Sequence, residues 1–275
     1  MTLQKGRIIC GRGGFYTVAL ADSFETVVCK PRGRMRRGEL SPLPGDLVTL
    51  SVREDGGRLE EILTRRNVFV RPPMANLDAL VLVASLAPPV SDAFWIDRIL
   101  SSVGGAEGIL VFNKTDLENA DEAAKLYREI GYSVIIASAA SGEGVDAIKA
   151  AIDGKVAAFS GHSGVGKSSL MNIIAPELRI PVGGLSERLG RGKHTTRHVE
   201  LFRLGNGWLA DTPGFSAFDI ESEIISFPEF ERYSCRFSDC GHINTLGCAV
   251  AEAVMRGEIA ESRYESYKRI KSARI

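Results

Sequence analysis

No stretch of this chain approaches the ~18 consecutive apolar residues of a helical membrane span, so a membrane-spanning helix is excluded. The chain also lacks a net charge: 34 Lys and Arg stand against 34 Asp and Glu. As a whole, therefore, it does not advertise itself as a polyanion binder. It lacks an even set of cysteines, having five, which argues against a disulfide framework. The opening residues, MTLQKGRIIC, contain no apolar core and no cleavage-like site, so a cytoplasmic location is expected. Internal repeats and long low-complexity linkers are absent too.

What is present is an ordinary globular composition, 44% hydrophobic and 25% charged, on 275 residues, enough for more than one domain. Three sections follow one another. Residues 1–70 carry short β-like runs (RIIC, FYTVAL, ETVVCK, DLVTLSV, LEEILT) separated by Gly, Pro and charged turns. Five short strands in that length suggest a small barrel of the OB type. Residues 71–220 alternate buried strands (LDALVLVAS, GILVF, SVIIAS, KVAAFS) with helical patterns, which implies a parallel sheet covered on both faces. One helix, in DAFWIDRILSSV, spaces Phe94, Trp95, Ile99 and Leu100 helically behind an Asp92 cap, and another closes at Gly131. VELFRLGNGWLAD reads as a hairpin with Asn206-Gly207 at its turn. Residues 221–275 read as mostly helical.

The chemistry lies in motifs. GHSGVGKS, residues 161–168, follows a strand and precedes a helix, the context of a phosphate loop. Gly161, His162, Ser163, Gly164, Val165 and Gly166 would curl backbone N–H groups around phosphate oxygens. Lys167 would reach the β- and γ-phosphates, Ser168 would bind Mg²⁺, and Ser169 continues the helix start. NKTD, Asn113 to Asp116, follows the strand GILVF. The Asp116 carboxylate can accept from guanine N1–H and N2–H₂, a donor pair that adenine does not offer. The Lys114 stem would pack on the base, Asn113 would tie loops together, and Thr115 completes the motif. Ser138 and Ala139, also after a strand, fit the small loop closing the base pocket.

DTPGF follows the strand GWLA; Asp211 would hold Mg²⁺ and Gly214 would sense the γ-phosphate. The polar, glycine-rich GRGKHTTRHVEL suits a switch loop, with Thr195 or Thr196 as a further Mg²⁺ ligand and Thr196 preferred. Phe215 stands where many GTPases carry the Gln that orients water, and His194 is the candidate substitute. Cys235, Cys240, His242 and Cys248 supply three thiols and an imidazole suited to one structural Zn²⁺. Residues 1–72 hold 13 Lys and Arg against 8 Asp and Glu. Lys30, Arg32, Arg34, Arg36 and Arg37 lie in one run that reads as a solvated loop or as a patch contacting RNA phosphates.

The base-reading motifs precede the phosphate loop, the Thr loop and DTPG, so the order is that of a circularly permuted GTPase domain. RPPMANLDALVLV, NKTD, GHSGVGKSSL, GKHTTRHVEL, DTPGF, CRFSDCGHINTLGCAV and RYESYKRI together resemble the ribosome small subunit-dependent GTPase A family along essentially the full chain. The resemblance implies an OB-fold barrel at 1–70, a permuted GTPase domain at 71–220 and a zinc-binding helical domain at 221–275. It implies GTP and GDP as substrate and product, and Zn²⁺ on Cys235, Cys240, His242 and Cys248. It further implies hydrolysis stimulated by the small ribosomal subunit and its 16S rRNA, a role late in 30S maturation, and dissociation on hydrolysis. A monomer without membrane partners is expected. Against the family pattern, the N-terminal section reads as short and without a basic leader, and the overall charge is neutral. Two other readings stay open: an rRNA-binding module whose turnover is incidental, and a metal-delivery GTPase.

Overall fold

Five short runs close on themselves at the start of the chain. In a computed structural model describing residues 3–33, 35, 41–53, 56–70, 72–180, 199–211, 225–243 and 245–273, these runs are β1 (Leu3–Arg12), β2 (Phe15–Leu20), β3 (Thr26–Pro31), β4 (Leu47–Arg53) and β5 (Gly56–Ile62). β1 pairs antiparallel with both β2 and β4, β3 pairs parallel with β5, and β4 pairs antiparallel with β5. The ring is therefore closed in the order 1-2-3-5-4, an OB-type barrel. Its interior is filled by Ile8, Val18, Cys29, Val48, Leu50 and Leu59, as a small barrel requires.

A short ribbon, β6 (Val68–Phe69) and β7 (Met74–Ala75), leads to the central sheet. Its elements are β8 (Ala79–Ala84), α1 (Ala93–Leu100), β9 (Glu107–Phe112), α2 (Asp121–Ile130), β10 (Ser133–Ile136), α3 (Val145–Ile152), β11 (Val156–Ser160), α4 (Lys167–Ile174), β12 (Glu200–Leu204) and β13 (Gly207–Asp211). The order is β10-β9-β8-β11-β13-β12, with only β12 antiparallel to its neighbour. Along β8 the side chains alternate between two cores. Leu80 and Leu82 face Trp95, Ile99 and Tyr127, while Val81 and Val83 face Ile148, Leu170 and Met171. Burial on both faces explains why these strands read as unbroken apolar runs. The Asp92 side chain accepts from the Phe94 N–H, and Gly131 ends α2 at φ 115°, as the sequence predicts.

The hairpin differs by one residue. Leu204 pairs with Gly207, so Gly205 and Asn206 form the turn. Gly205 takes the positive φ, 55°, at the first central position, where a type II′ turn needs it. One bridge, Cys10 to Glu200, joins β1 to β12 and makes barrel and central layer a single 11-stranded sheet. The C-terminal module holds α5 (Ala249–Met255) and α6 (Glu261–Ser272) around Phe227, Phe230, Val250 and Tyr267. It docks through α6 against α1.

Candidate nucleotide site and metal centre

β11 delivers the chain into the glycine-rich loop, and α4 takes it out. Gly164 and Gly166 sit at φ 82° and 95°, a left-handed region where a side chain is strained. A Cβ on Gly166 would lie 2.2 Å from Asn113 Nδ2, so close approach demands glycine there as well. No side chain caps α4, which leaves its first-turn N–H groups directed at the loop. Lys167 arches back, its Nζ donating to the carbonyls of Gly161 and His162 at 2.6 Å each. Burial pulls its pKa down. Gly161, His162, Ser163, Gly164, Val165, Gly166, Lys167, Ser168 and Ser169 thus form one continuous loop and helix start.

Asn113, 2% exposed, joins three loops. Its Nδ2 donates to Val165 O at 2.8 Å, and its Oδ1 accepts from the Ala139 N–H at 3.0 Å. The base-reading motif, the phosphate loop and the Ser138–Ala139 loop are therefore pinned by one amide. Ser138 Oγ donates to Asp116 Oδ1 at 2.5 Å and accepts from the Ala140 and Ser141 N–H groups. That bond orients the exposed carboxylate and uses only part of its acceptor capacity. Thr115 Oγ1 donates to Ala137 O at 3.0 Å. Lys114, at φ 67°, donates through Nζ to Pro88 O at 2.7 Å.

Two partners of this site escape sequence reasoning. Pro88 belongs to a loop without a motif. Trp95 reads as one more apolar helix residue, yet its ring stacks on His162 with centroids 3.9 Å apart. A Trp at the helix start nearest the phosphate loop is the only signal the sequence offers.

Cys235, Cys240, His242 and Cys248 are brought together. The ligand atoms of Cys235, Cys240, His242 and Cys248 all lie within 4.8 Å of one another. Sγ of Cys235 is 3.8 Å from Sγ of Cys248, and each is 3.5 Å from His242 Nδ1. Bond lengths of about 2.3 Å to sulfur and about 2.0 Å to nitrogen in a tetrahedral zinc site set edges of about 3.8 and 3.5 Å. Cys235, His242 and Cys248 therefore sit at Zn²⁺ edge lengths, with Cys240 within 4.8 Å of them, and three thiols with an imidazole suit that ion in chemistry. Burial pushes the Cys248 thiol up, so a bound cation is what would hold it as thiolate. The ligand loop is held from α6, where Tyr264 and Tyr267 donate to the carbonyls of His242 and Gly241 at 2.7 and 2.9 Å.

On the barrel, the Lys30 ammonium lies 5.3 Å from the Phe15 ring centroid, and Arg32 pairs with Glu60 at 2.7 Å. The expectations for Arg34, Arg36, Arg37, His194, Thr195, Thr196, Gly214 and Phe215, and for the side chain of Asp211, lie outside the described residues; the Asp211 backbone ends β13. Among the described residues, no helix is long and apolar enough to cross a membrane.

Comparison with known proteins follows the same outline. The family description RsgA GTPase matches residues 62–221, and RsgA N-terminal domain matches residues 5–57. The chain belongs to the RsgA GTPase family. The small ribosomal subunit biogenesis GTPase RsgA of Moorella thermoacetica is 42% identical, over 96% of this chain and 95% of that protein. Its counterpart from Caldanaerobacter subterraneus is 40% identical, over 96% and 93%. The crystal structure of YjeQ from Thermotoga maritima superposes with a TM-score of 0.82 at 34% identity, covering 98% of both chains. YloQ, described as a circularly permuted GTPase, gives 0.80 at 35% identity, over 99% of this chain and 96% of that one. Family membership accounts for the motif order: the RsgA domain is permuted, and the base-reading loops are made before the phosphate loop.

Proposed function

We propose that this chain is a GTPase of small ribosomal subunit biogenesis, hydrolysing GTP to GDP and phosphate late in 30S maturation. One observation carries the reading: Asn113 bonds both Val165 of the phosphate loop and Ala139 of the base-closing loop, so base recognition and phosphate binding are one rigid unit. The domain division 1–70, 71–220 and 221–275 follows from the same reading.

In this site the Asp116 carboxylate selects guanine and the Lys114 stem packs on the base. The loop N–H groups cradle the phosphates, and Lys167 exchanges its carbonyl partners for β- and γ-phosphate oxygens. Ser168, Asp211 and Thr196 would hold Mg²⁺; their oxygens suit that hard cation, which neutralises charge developing on the phosphates. Phe215 can neither donate nor accept, so water positioning falls to His194 or to the ribosomal subunit. Cys235, Cys240, His242 and Cys248 hold a structural Zn²⁺. Lys30, Arg32, Arg34, Arg36 and Arg37 contact 16S rRNA phosphates, with hydrolysis triggering release of the monomeric protein in the cytoplasm.

The test is steady-state GTP hydrolysis with and without purified small subunits, with Lys167→Ala as control. Slow basal turnover that rises many-fold with subunits supports the reading. Nucleotide-dependent binding without stimulation favours an rRNA-binding module with incidental turnover. Absence of both sinks the ribosomal reading and returns attention to metal delivery, which predicts zinc lost to a mild chelator.

A further inference from the structure

Helix α1 touches both the nucleotide site and the C-terminal module. Trp95, 7% exposed, stacks its ring on the imidazole of His162 with planes 30° apart. His162 is the second residue of the phosphate loop, and its carbonyl is one of the two that receive the Lys167 ammonium. The stack thus fixes the backbone from which that lysine is aimed. The segment entering α1 is locked on itself: the Ser91 N–H donates to Ser85 O at 2.8 Å, and the Ser85 N–H to Ser91 Oγ at 3.0 Å. It presents Pro88 O to Lys114 and places the Pro89 ring 3.1 Å from where a Cβ on Gly164 would be.

The other side of the same helix faces α6. Asp97, 1% exposed, accepts from Arg263 at 2.5 Å and from Tyr127 OH at 2.7 Å. The Arg269 guanidinium lies 3.7 Å from the Phe94 ring centroid. Neighbouring residues of one rigid helix therefore carry the phosphate loop at one point and the C-terminal module at another. A Trp serving only as core would meet apolar partners alone, whereas Trp95 packs with Leu80 and Leu82 and also reaches beyond them. Here its ring partner is a polar side chain on a glycine-rich loop whose curvature the chemistry depends on.

We propose that Trp95 is a positioning residue for the phosphate loop, acting through His162, and that the Asp97–Arg263 pair couples nucleotide occupancy to the seating of the C-terminal module. The proposal rests on the guanine-nucleotide reading above. Coupling of this kind is reciprocal: whatever GDP does to the module, the module does to GDP affinity. It requires contiguous packed contacts with two arrangements, and α1 supplies the contiguity.

The experiment is hydrogen exchange of α6 amides, with and without GDP, alongside GDP affinity, in the full-length wild type and in Trp95→Leu, Trp95→Phe and Asp97→Asn. Thermal unfolding verifies that each variant is folded. Wild type gains protection in α6 when GDP binds. Trp95→Leu binds GDP about three- to tenfold more weakly, the range an aromatic pair supports, and loses the gain. Trp95→Phe, which restores an aromatic face, recovers both. Asp97→Asn, in which Glu229 still pairs with Arg263, loses the gain and still binds GDP, its affinity lowered by the same factor as the lost coupling. Any of four results overturns the proposal: a wild type that binds GDP with no gain in α6, Trp95→Leu with wild-type affinity, Trp95→Phe as impaired as Trp95→Leu, or the full gain retained in Asp97→Asn. A wild type that does not bind GDP at all overturns the functional reading instead.

Discussion

The Arg263 guanidinium donates to Asp97 at 2.5 Å across 166 residues of chain, and both side chains are 1% exposed. Its Nε and Nη2 also reach the Glu229 carboxylate, at 2.7 and 3.2 Å, and the Phe227 ring lies beneath it at 4.4 Å. Burial opposes the guanidinium charge, but the bonds to Glu229 and the field of Asp97 outweigh it, and its pKa is raised. Arg263→Met would leave two carboxylates facing each other in the interior. Removing one partner of such a pair costs about 3–5 kcal/mol. Urea unfolding followed by tryptophan fluorescence should show a loss of that size.

Asn113→Ala removes an amide that satisfies Val165 O and the Ala139 N–H. Each buried group left unpaired costs about 1–3 kcal/mol. Because base loop and phosphate loop are released together, GDP affinity measured by calorimetry should fall at least about tenfold. A fall in thermal stability alone, with affinity intact, would show that the tie is structural only.

Asp116→Asn replaces an acceptor with an amide that also donates. Guanine should be rejected, while xanthine, with an oxygen at position 2, should gain. Mismatching a polar group that the bound base covers separates ligands by about 10⁴-fold in the best sites. Competition between GDP and XDP measures the change; unaltered preference would remove Asp116 from base selection.

Chelation of zinc should unfasten the loop between Cys235 and Cys248 while leaving the nucleotide loops intact. Tyr264 and Tyr267 lose ordered acceptors when that loop opens. Exchange protection should therefore vanish in residues 235–248 and fall in α6, and GDP affinity should weaken with it, because the coupling through α1 is reciprocal. Cys240→Ser should release metal more readily for the same reason.

The His162 pKa is lowered from its ordinary 6.5, first by burial and then by Lys167. Arg98 adds to that effect, and Asp92 opposes it. The folded protein therefore binds this proton less readily than the unfolded chain. Above pH 6.5 the group contributes nothing to the pH dependence. As pH falls from 6.5 through the lowered value, stability is lost. His162→Gln should flatten the acid limb of Tm against pH relative to wild type, in nucleotide-free protein.

Sequence alone reached the local features. The glycines of the phosphate loop, the Asp92 cap, the Gly131 stop and the clustering of three cysteines and a histidine within 14 residues are each decided by neighbours in the chain. A five-strand barrel was legible from the strand count, but the bridge of Cys10 to Glu200 that joins it to the central sheet was not, because spacing carries no record of which distant strand completes a ladder. Nothing in the sequence pairs Arg263 with Asp97 or Glu229, which lie far from it along the chain. Trp95 fitted an apolar helical stripe, and only the fold reveals that His162 occupies its face. The hairpin turn moved by one residue because both Gly205-Asn206 and Asn206-Gly207 satisfy local turn preferences, and the register of β12 on β13 decides between them.

The strand order has a further effect while the chain is being made. β8, β9 and β10 leave the ribosome in sequence and can assemble at once, with β9 between the other two. β8 then stands as an unpaired edge bearing the run ALVLVA, whose pairing groups wait for β11. An apolar edge of this kind invites pairing with other chains. A nascent protein of this family therefore passes through a sticky, half-built sheet before its phosphate loop exists, and truncations ending between residues 137 and 155 should precipitate where the full chain does not.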